Sequence, residues 1–410
     1  MTIRTLPAFL KPFFNGFRPW VTRREFAYLW TLVLALVLNL RTSKIVHLVR
    51  LLPFSTHRTR HGAFLASDRW QGPVMLTQAV GRLLKKLQPR PGETLDLILD
   101  DHRTAKRARK MDRISKIWDH KDQRFVYGHI ILTAAVVFRG MILPVKISLW
   151  KPKGQPGPRY KKLTVMAAEI IREFVPPAGV KVRVLFDAFY LCPMVVKACE
   201  AHGWTWFSVA AKNRSFRPEG ANKGRKIADL AVGWIKHQGR NVRMPRSRGR
   251  ATLRIACVDG HLSRIGQVRM VLSKRPNERW KTTVAIVTNA TPIDARGIVS
   301  IYERRWKIEV LFKELEQDLG LGDYQMLKET AIVHHLHLCC LAHLLLTHRS
   351  IDALAAQAME PHNEVCLPPL RQRIESLRRD VRNDQIRRLF ATSVRHERTV
   401  KKLELFLQAA

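Results

Sequence analysis

The tightest constraint on this chain is the order of its apolar runs between Glu93 and Lys212. "ETLDLILDD" (Glu93 to Asp101) reads as a buried strand, because it is a short continuous apolar run bounded by a Pro-Gly turn. A basic loop, "HRTAKRARKMDR", follows. Two longer runs, "RFVYGHIILTAAVVF" and "MILPVKISLW", flank Arg139-Gly140 and read as a β-hairpin. A helix is then expected over about 159–174, the strand "VKVRVLFD" ending at Asp187, a helix over about 192–202, and the strand "TWFSVAAK". The order is β-β-β-α-β-α-β, with the first three strands antiparallel and the last two parallel to the first.

That is the order of a ribonuclease-H-like sheet, so the expected fold is α/β: a mixed sheet flanked by helices. A chain of 410 residues should divide into two or three domains, since single cores stop growing at roughly 250 to 300 residues. We expect a helical region at 1–90, suited either to DNA binding or to capping a larger core. Within it, "TSKIVHLVRLLP" and "HRTRHGAFLASDRW" read as short helices broken at Pro53 and Gly62. The first part of the core follows at 91–212. Residues 213–295 break the alternation with Gly-, Pro- and Arg-rich stretches and strand-like runs, and read as a mostly β insertion. The second part of the core is expected at 296–350 and a helical region at 351–410.

Composition narrows the partner. There are 72 Lys+Arg against 33 Asp+Glu, a formal charge of +39 spread along most of the chain. Such a field attracts polyanions and strains the fold by self-repulsion unless one neutralises it, which points to nucleic acid before anionic membrane. Membrane is argued against because the longest apolar run, "AYLWTLVLALVLNL" (Ala27 to Leu40), is shorter than the ~20 residues of a spanning helix. The six cysteines form no CxxC pair and no zinc spacing; they read as small buried residues in a reducing cytosol. "HHLHLCCLAHLLLTH" (His334 to His348) reads as a buried helix with histidines at its polar edges, because no matching carboxylate or Cys pair accompanies them. No GxxxxGK[ST] loop is present, so no nucleotide-driven motor is implied.

The most informative short stretch is "IYERRWKIEVLFKELEQ" (Ile301 to Gln317). Tyr302, Arg305, Glu309 and Glu316 recur at steps of three, four and seven, which stacks them on one face of a helix. Ile301, Trp306, Ile308, Leu311, Phe312 and Leu315 supply an apolar surface to dock that helix. One helix is expected from about Asp294 to Leu319. Acids are scarce here, yet Asp100 and Asp101 end the first strand, Asp187 ends the fourth, and Glu309 sits on this helix. In a sheet of this order the first and fourth strands are neighbours, so their ends bring the aspartates together and a helix crossing the edge adds the glutamate. Carboxylate oxygens are hard ligands suited to Mg²⁺ or Mn²⁺. Two such ions stabilise both the attacking and the leaving oxygen of an in-line displacement at phosphorus.

At these residues the sequence resembles the DDE transposases of bacterial insertion sequences, in particular the group whose glutamate helix carries a Tyr-Arg-Glu-Lys motif. Tyr302, Arg305 and Glu309 match that motif, "ILDD" resembles the first aspartate box and "DAFY" the second. Two positions depart from the pattern: Glu316 stands where the lysine is usual, with Lys313 one turn nearer Glu309, and His102 stands where a threonine usually follows the aspartates. The resemblance implies cutting of element ends and their joining to target DNA. It implies Asp101 or Asp100 with Asp187 and Glu309 as catalytic residues, Asp101, Asp187 and Glu309 holding two Mg²⁺ ions (or Mn²⁺), and Tyr302, Arg305 and Lys313 as DNA contacts. It further implies double-stranded DNA as partner, no membrane, a dimer on DNA, and a place in the bacterial cytoplasm with the nucleoid.

Overall fold

The structure, a computed structural model, describes residues 5–38, 58–119, 123–157, 159–246, 249–279, 282–355 and 365–393. Among the described residues, four α-helices precede the sheet: α1 (Lys11–Asn15), α2 (Arg23–Leu38), α3 (Arg58–Leu65) and α4 (Gly72–Leu87). Helix α3 runs through Gly62 instead of breaking there, and "TSKIVHLVRLLP" lies outside the described residues.

Strand β1 (Thr94–Ala105) is central, and Leu95, Leu97, Ile98 and Leu99 are fully buried. A strand covered on both faces needs a nearly continuous apolar run, which is what the sequence supplies. The strand continues four residues past the expected end at Asp101, so part of the basic stretch is sheet and not loop. A short strand, β2 (Ser115–Asp119), pairs with β3 (Arg124–Phe138) and was not anticipated; its five residues carry two charges and gave no run to read. The hairpin from β3 to β4 (Met141–Leu149) turns at Arg139 and Gly140, whose φ of 45° and 82° make the two-residue turn with both residues left-handed that twisted hairpins favour.

After α5 (Leu163–Glu173) comes β5 (Lys181–Phe186), parallel to β1; after α6 (Pro193–Glu200) comes β6 (Thr205–Val209), parallel to β5. The order β4-β3-β1-β5-β6 is a mixed sheet flanked by helices, consistent with a ribonuclease-H-like domain. The residues between β6 and the next core helix extend this sheet. They form β7 (Ser215–Pro218), β8 (Arg225–Lys226), α7 (Ile227–Gln238), β9 (Arg240–Arg246), β10 (Gly249–Leu262), β11 (Gly266–Lys274) and β12 (Val284–Thr288). Strand β12 pairs with β6, so hydrogen bonding runs from the core to β11 and β10. Much of the Arg-rich stretch around Arg240–Arg246 is strand, because its backbone pairs with β10 whatever its side chains.

The expected single helix after the insertion is two: α8 (Ala295–Glu303) and α9 (Trp306–Gln317). Between them the N–H groups of Arg304, Arg305 and Lys307 bond back three residues, at 3.0 Å each, which tightens the helix for one turn. Then come α10 (Glu329–Ala355) and α11 (Leu370–Ser393). Among the described residues, one helix, α10, is long and apolar enough to cross a membrane by length and composition, and 89% of its most apolar window is buried within the protein. It packs on α2, α3, α4 and β4. Of the cysteines, Cys199, Cys339 and Cys340 are buried, Cys192 is intermediate, and Cys257 and Cys366 are exposed, so not all are core residues.

Candidate active site

Two consecutive arginines dock the turn between α8 and α9 onto β1. Asp96 and Asp100, four apart on the strand, point to the same face. Arg304 reaches Asp96 (3.3 Å), which also accepts from Arg183 on β5 (2.6 Å), and Arg305 reaches Asp100 (2.5 Å). Asp96 is only 1% exposed, so this acid is doubly paired in the core. The sequence signal for such a pair is an acid set amid leucines in a buried strand.

Arg305 also donates to Glu309 (3.2 Å), linking the strand end to the glutamate helix. Burial alone lowers the pKa of the Arg305 guanidinium, but Tyr302, Asp100 and Glu309 around it raise it above its ordinary value. Burial pushes the Asp100 carboxyl up to about 7; Arg305 opposes the shift, and Asp187, Glu309 and Asp101 add to it. Burial likewise raises Asp187, against the N–H groups of Phe189 and Tyr190, with Asp101 repelling it. These mutual repulsions mean the four carboxylates form one electrostatic cluster.

Individual oxygens are nonetheless committed. Asp101 accepts from the Tyr190 hydroxyl (2.8 Å) through Oδ1, with Arg103 3.9 Å from Oδ2. Asp187 accepts through Oδ1 from the N–H groups of Phe189 (2.9 Å) and Tyr190 (3.4 Å), a turn that holds its carboxylate at the end of β5. Tyr190 thus touches both aspartates; the sequence offered it only as an aromatic after Asp187, with no sign that its hydroxyl reaches Asp101. Tyr302 is half-buried beside Arg305, and burial pushes its phenol up to about 12. Lys313 is exposed on α9, and the partner of the Glu309 carboxylate is the Arg305 guanidinium.

The two departures from the transposase pattern meet each other. His102 Nε2 lies 2.6 Å from Glu316 Oε1, and its ring packs on Phe312 at 5.1 Å between centroids. A pair on β1 and α9 therefore braces the far end of the glutamate helix, about two turns beyond Glu309. Deeper in, His334, His335, His337 and His343 lie in the core and not at polar edges. His335 bonds to the Gly320 carbonyl (2.9 Å), His337 to the Val333 carbonyl (2.7 Å), and burial holds both near a pKa of about 4.

As a test of fit for divalent metal, the donor set is chemically apt: Asp101, Asp187 and Glu309 each keep one oxygen without a strong hydrogen bond. Among the described residues, however, no group of three or more His, Cys, Asp or Glu side chains stands close enough to hold an ion. Arg305 supplies the positive charge between Asp100 and Glu309 instead.

Carboxylates gathered at the ends of adjacent parallel strands, in a protein of charge +39, define a class of nucleic-acid-processing α/β proteins. Residues 101–345 match the family model described as the transposase DDE domain, and the chain belongs to that family. Its members act on DNA and normally use divalent metal ions. No curated protein matches the chain.

Proposed function

We propose that the protein cuts the ends of a bacterial insertion sequence and joins them to target DNA, as a transposase of the Tyr-Arg-Glu-Lys group acting as a dimer. The observation that carries this reading is the docking of Arg304 and Arg305 on Asp96 and Asp100, which brings the Glu309 helix to the strand ends bearing Asp101 and Asp187. Asp101, Asp187 and Glu309 would hold the metal, two Mg²⁺ ions or Mn²⁺ in their place. When bound, such ions polarise the scissile phosphate and lower the pKa of the attacking water. Asp101 is assigned over Asp100 because the Asp100 carboxylate is spent on Arg305.

The remaining roles belong to the chain. Tyr190 holds Asp101 in place from the Asp187 turn. Arg305 neutralises the cluster in the free protein and offers a planar fork to a phosphate when DNA enters. Tyr302, with its raised pKa, stays protonated and donates to backbone oxygens, while Lys313 on the exposed side of α9 contacts a phosphate further along. The basic surface draws the polyanion in, and excess charge is relieved when it binds.

The test is strand cleavage of DNA carrying the element's own ends, in Mg²⁺, Mn²⁺ or EDTA, by the protein and its Glu309→Gln form. Metal-dependent cutting that disappears with Glu309→Gln, with DNA binding retained, is the expected result. Binding by both forms with no cutting by either would make the chain a DNA-binding relative without the chemistry. Cutting with no joining to target would make it a nuclease on the same fold.

A further inference from the structure

The hairpin of β2 and β3 presents a face that the proposed chemistry does not use. Cross-strand pairing sets Trp118 opposite Phe125 and Lys116 opposite Tyr127, so these four share one face, while Ile117 and Val126 share the other. Ile117 is buried, which fixes the inner side. On the outer side Phe125 is 69% exposed, with its ring 5.0 Å from that of Trp118, edge to face. The Arg109 guanidinium sits 5.2 Å from the Tyr127 ring, and Arg107, Arg109 and Lys116 are all exposed. A large aromatic ring such as Phe125 left in water costs hydration free energy unless a partner covers it, and Trp118 and Tyr127 beside it are only half-buried.

We infer that this hairpin face grips the DNA duplex flanking the cut, with Lys116, Arg107 and Arg109 on phosphates and Phe125 and Trp118 against sugars and base edges. The inference rests on the transposase reading for its substrate. Charge complementarity selects the occupant: a second copy of a +39 chain would bring like charge to like charge, whereas duplex DNA supplies two negative charges per base pair. Aromatic rings interleaved with cations are the combination that nucleic acids cover. Register gives the distance. Gly128 on β3 pairs with both Ala105 on β1 and Ser115 on β2, so the hairpin begins four residues beyond Asp101 and Phe125 lies three residues further. At ~3.3 Å per residue this spans about 13 to 23 Å, or roughly four to seven base pairs from the cut phosphate.

The experiment measures binding of a fluorescein-labelled 30-base-pair duplex to the full chain by anisotropy in EDTA, where no cutting takes place, together with a hydroxyl-radical footprint on the element's own ends. Phe125→Ser is expected to weaken duplex binding about tenfold and to lose protection roughly four to seven base pairs from the cut. Lys116→Ala is expected to reduce the slope of log K against log salt by about 0.9. Val175→Ser, at another exposed apolar side chain, serves as control for general surface effects and should change neither. Unchanged affinity and footprint in Phe125→Ser would overturn the inference. So would loss of self-association by sedimentation with DNA binding intact, which would make the face a contact between copies. Because binding is read without metal, absence of cleavage would sink the transposase reading and leave this result standing.

Discussion

Arg305 is the residue on which the site turns. It lies half-buried between Asp100 and Glu309 and pairs with both, so it does two jobs that separate on substitution. Arg305→Lys keeps a charge but loses the fork, and cannot span both carboxylates at once. We expect it to lower cleavage at least about tenfold while leaving overall DNA affinity within about threefold, read by end-cleavage rate and anisotropy. Arg305→Ala leaves Asp100 buried without its cation and should destabilise the protein by about 3 kcal/mol, measured by urea unfolding. The His102–Glu316 contact predicts a different pattern. Glu316→Gln keeps an oxygen for the imidazole N–H and should cleave within about threefold of the parent, whereas Glu316→Ala should lose about 1 kcal/mol of stability. If Glu316→Lys were instead to raise cleavage, the lysine of the motif would still have a phosphate to meet in this chain.

At the scale of elements, α10 carries a clear pH signature. His335 and His337 have folded pKa values of about 4 against an ordinary 6.5, both lowered by burial. Between those values the unfolded chain binds protons that the folded chain refuses, so the stability these histidines contribute is full above pH ~6.5 and is lost as pH drops toward 4, opposed in part by the raised Asp100 carboxyl. Each histidine contributes up to about 1.4 kcal/mol per pH unit in that window. The urea midpoint should therefore fall steeply between pH 6.5 and 5; a flat profile there would mean these imidazoles titrate normally. Periodicity alone puts this helix in the core with its histidines at polar edges, because it does not tell that backbone carbonyls await them inside. The split between α8 and α9 was equally hidden. A pattern at steps of three and four fits an unbroken helix, and only Asp96 and Asp100 across the gap explain why the turn tightens at Arg304 and Arg305. The mixed sheet was legible because its central strands are continuous apolar runs. Strand β2 and the outer end of β1 were not, because their pairing is made by the backbone under charged side chains.

For the whole molecule the governing quantity is charge. With a formal +39, DNA affinity should fall linearly in log-log terms with salt, by a slope of about −0.9 for each phosphate neutralised, and a flat response would remove the polyanion argument at its root. DNA should also raise the thermal midpoint, because it relieves self-repulsion only in the state that binds it. Finally, β12 joins β6 through the pairs Ile286↔Val209, Val287↔Ser208 and Thr288↔Phe207, while β6 lies beside the strand that ends at Asp187. The added strands and the core strands therefore form one hydrogen-bonded sheet, in which β6 alone stands between the seam and β5, the strand that leads into Asp187.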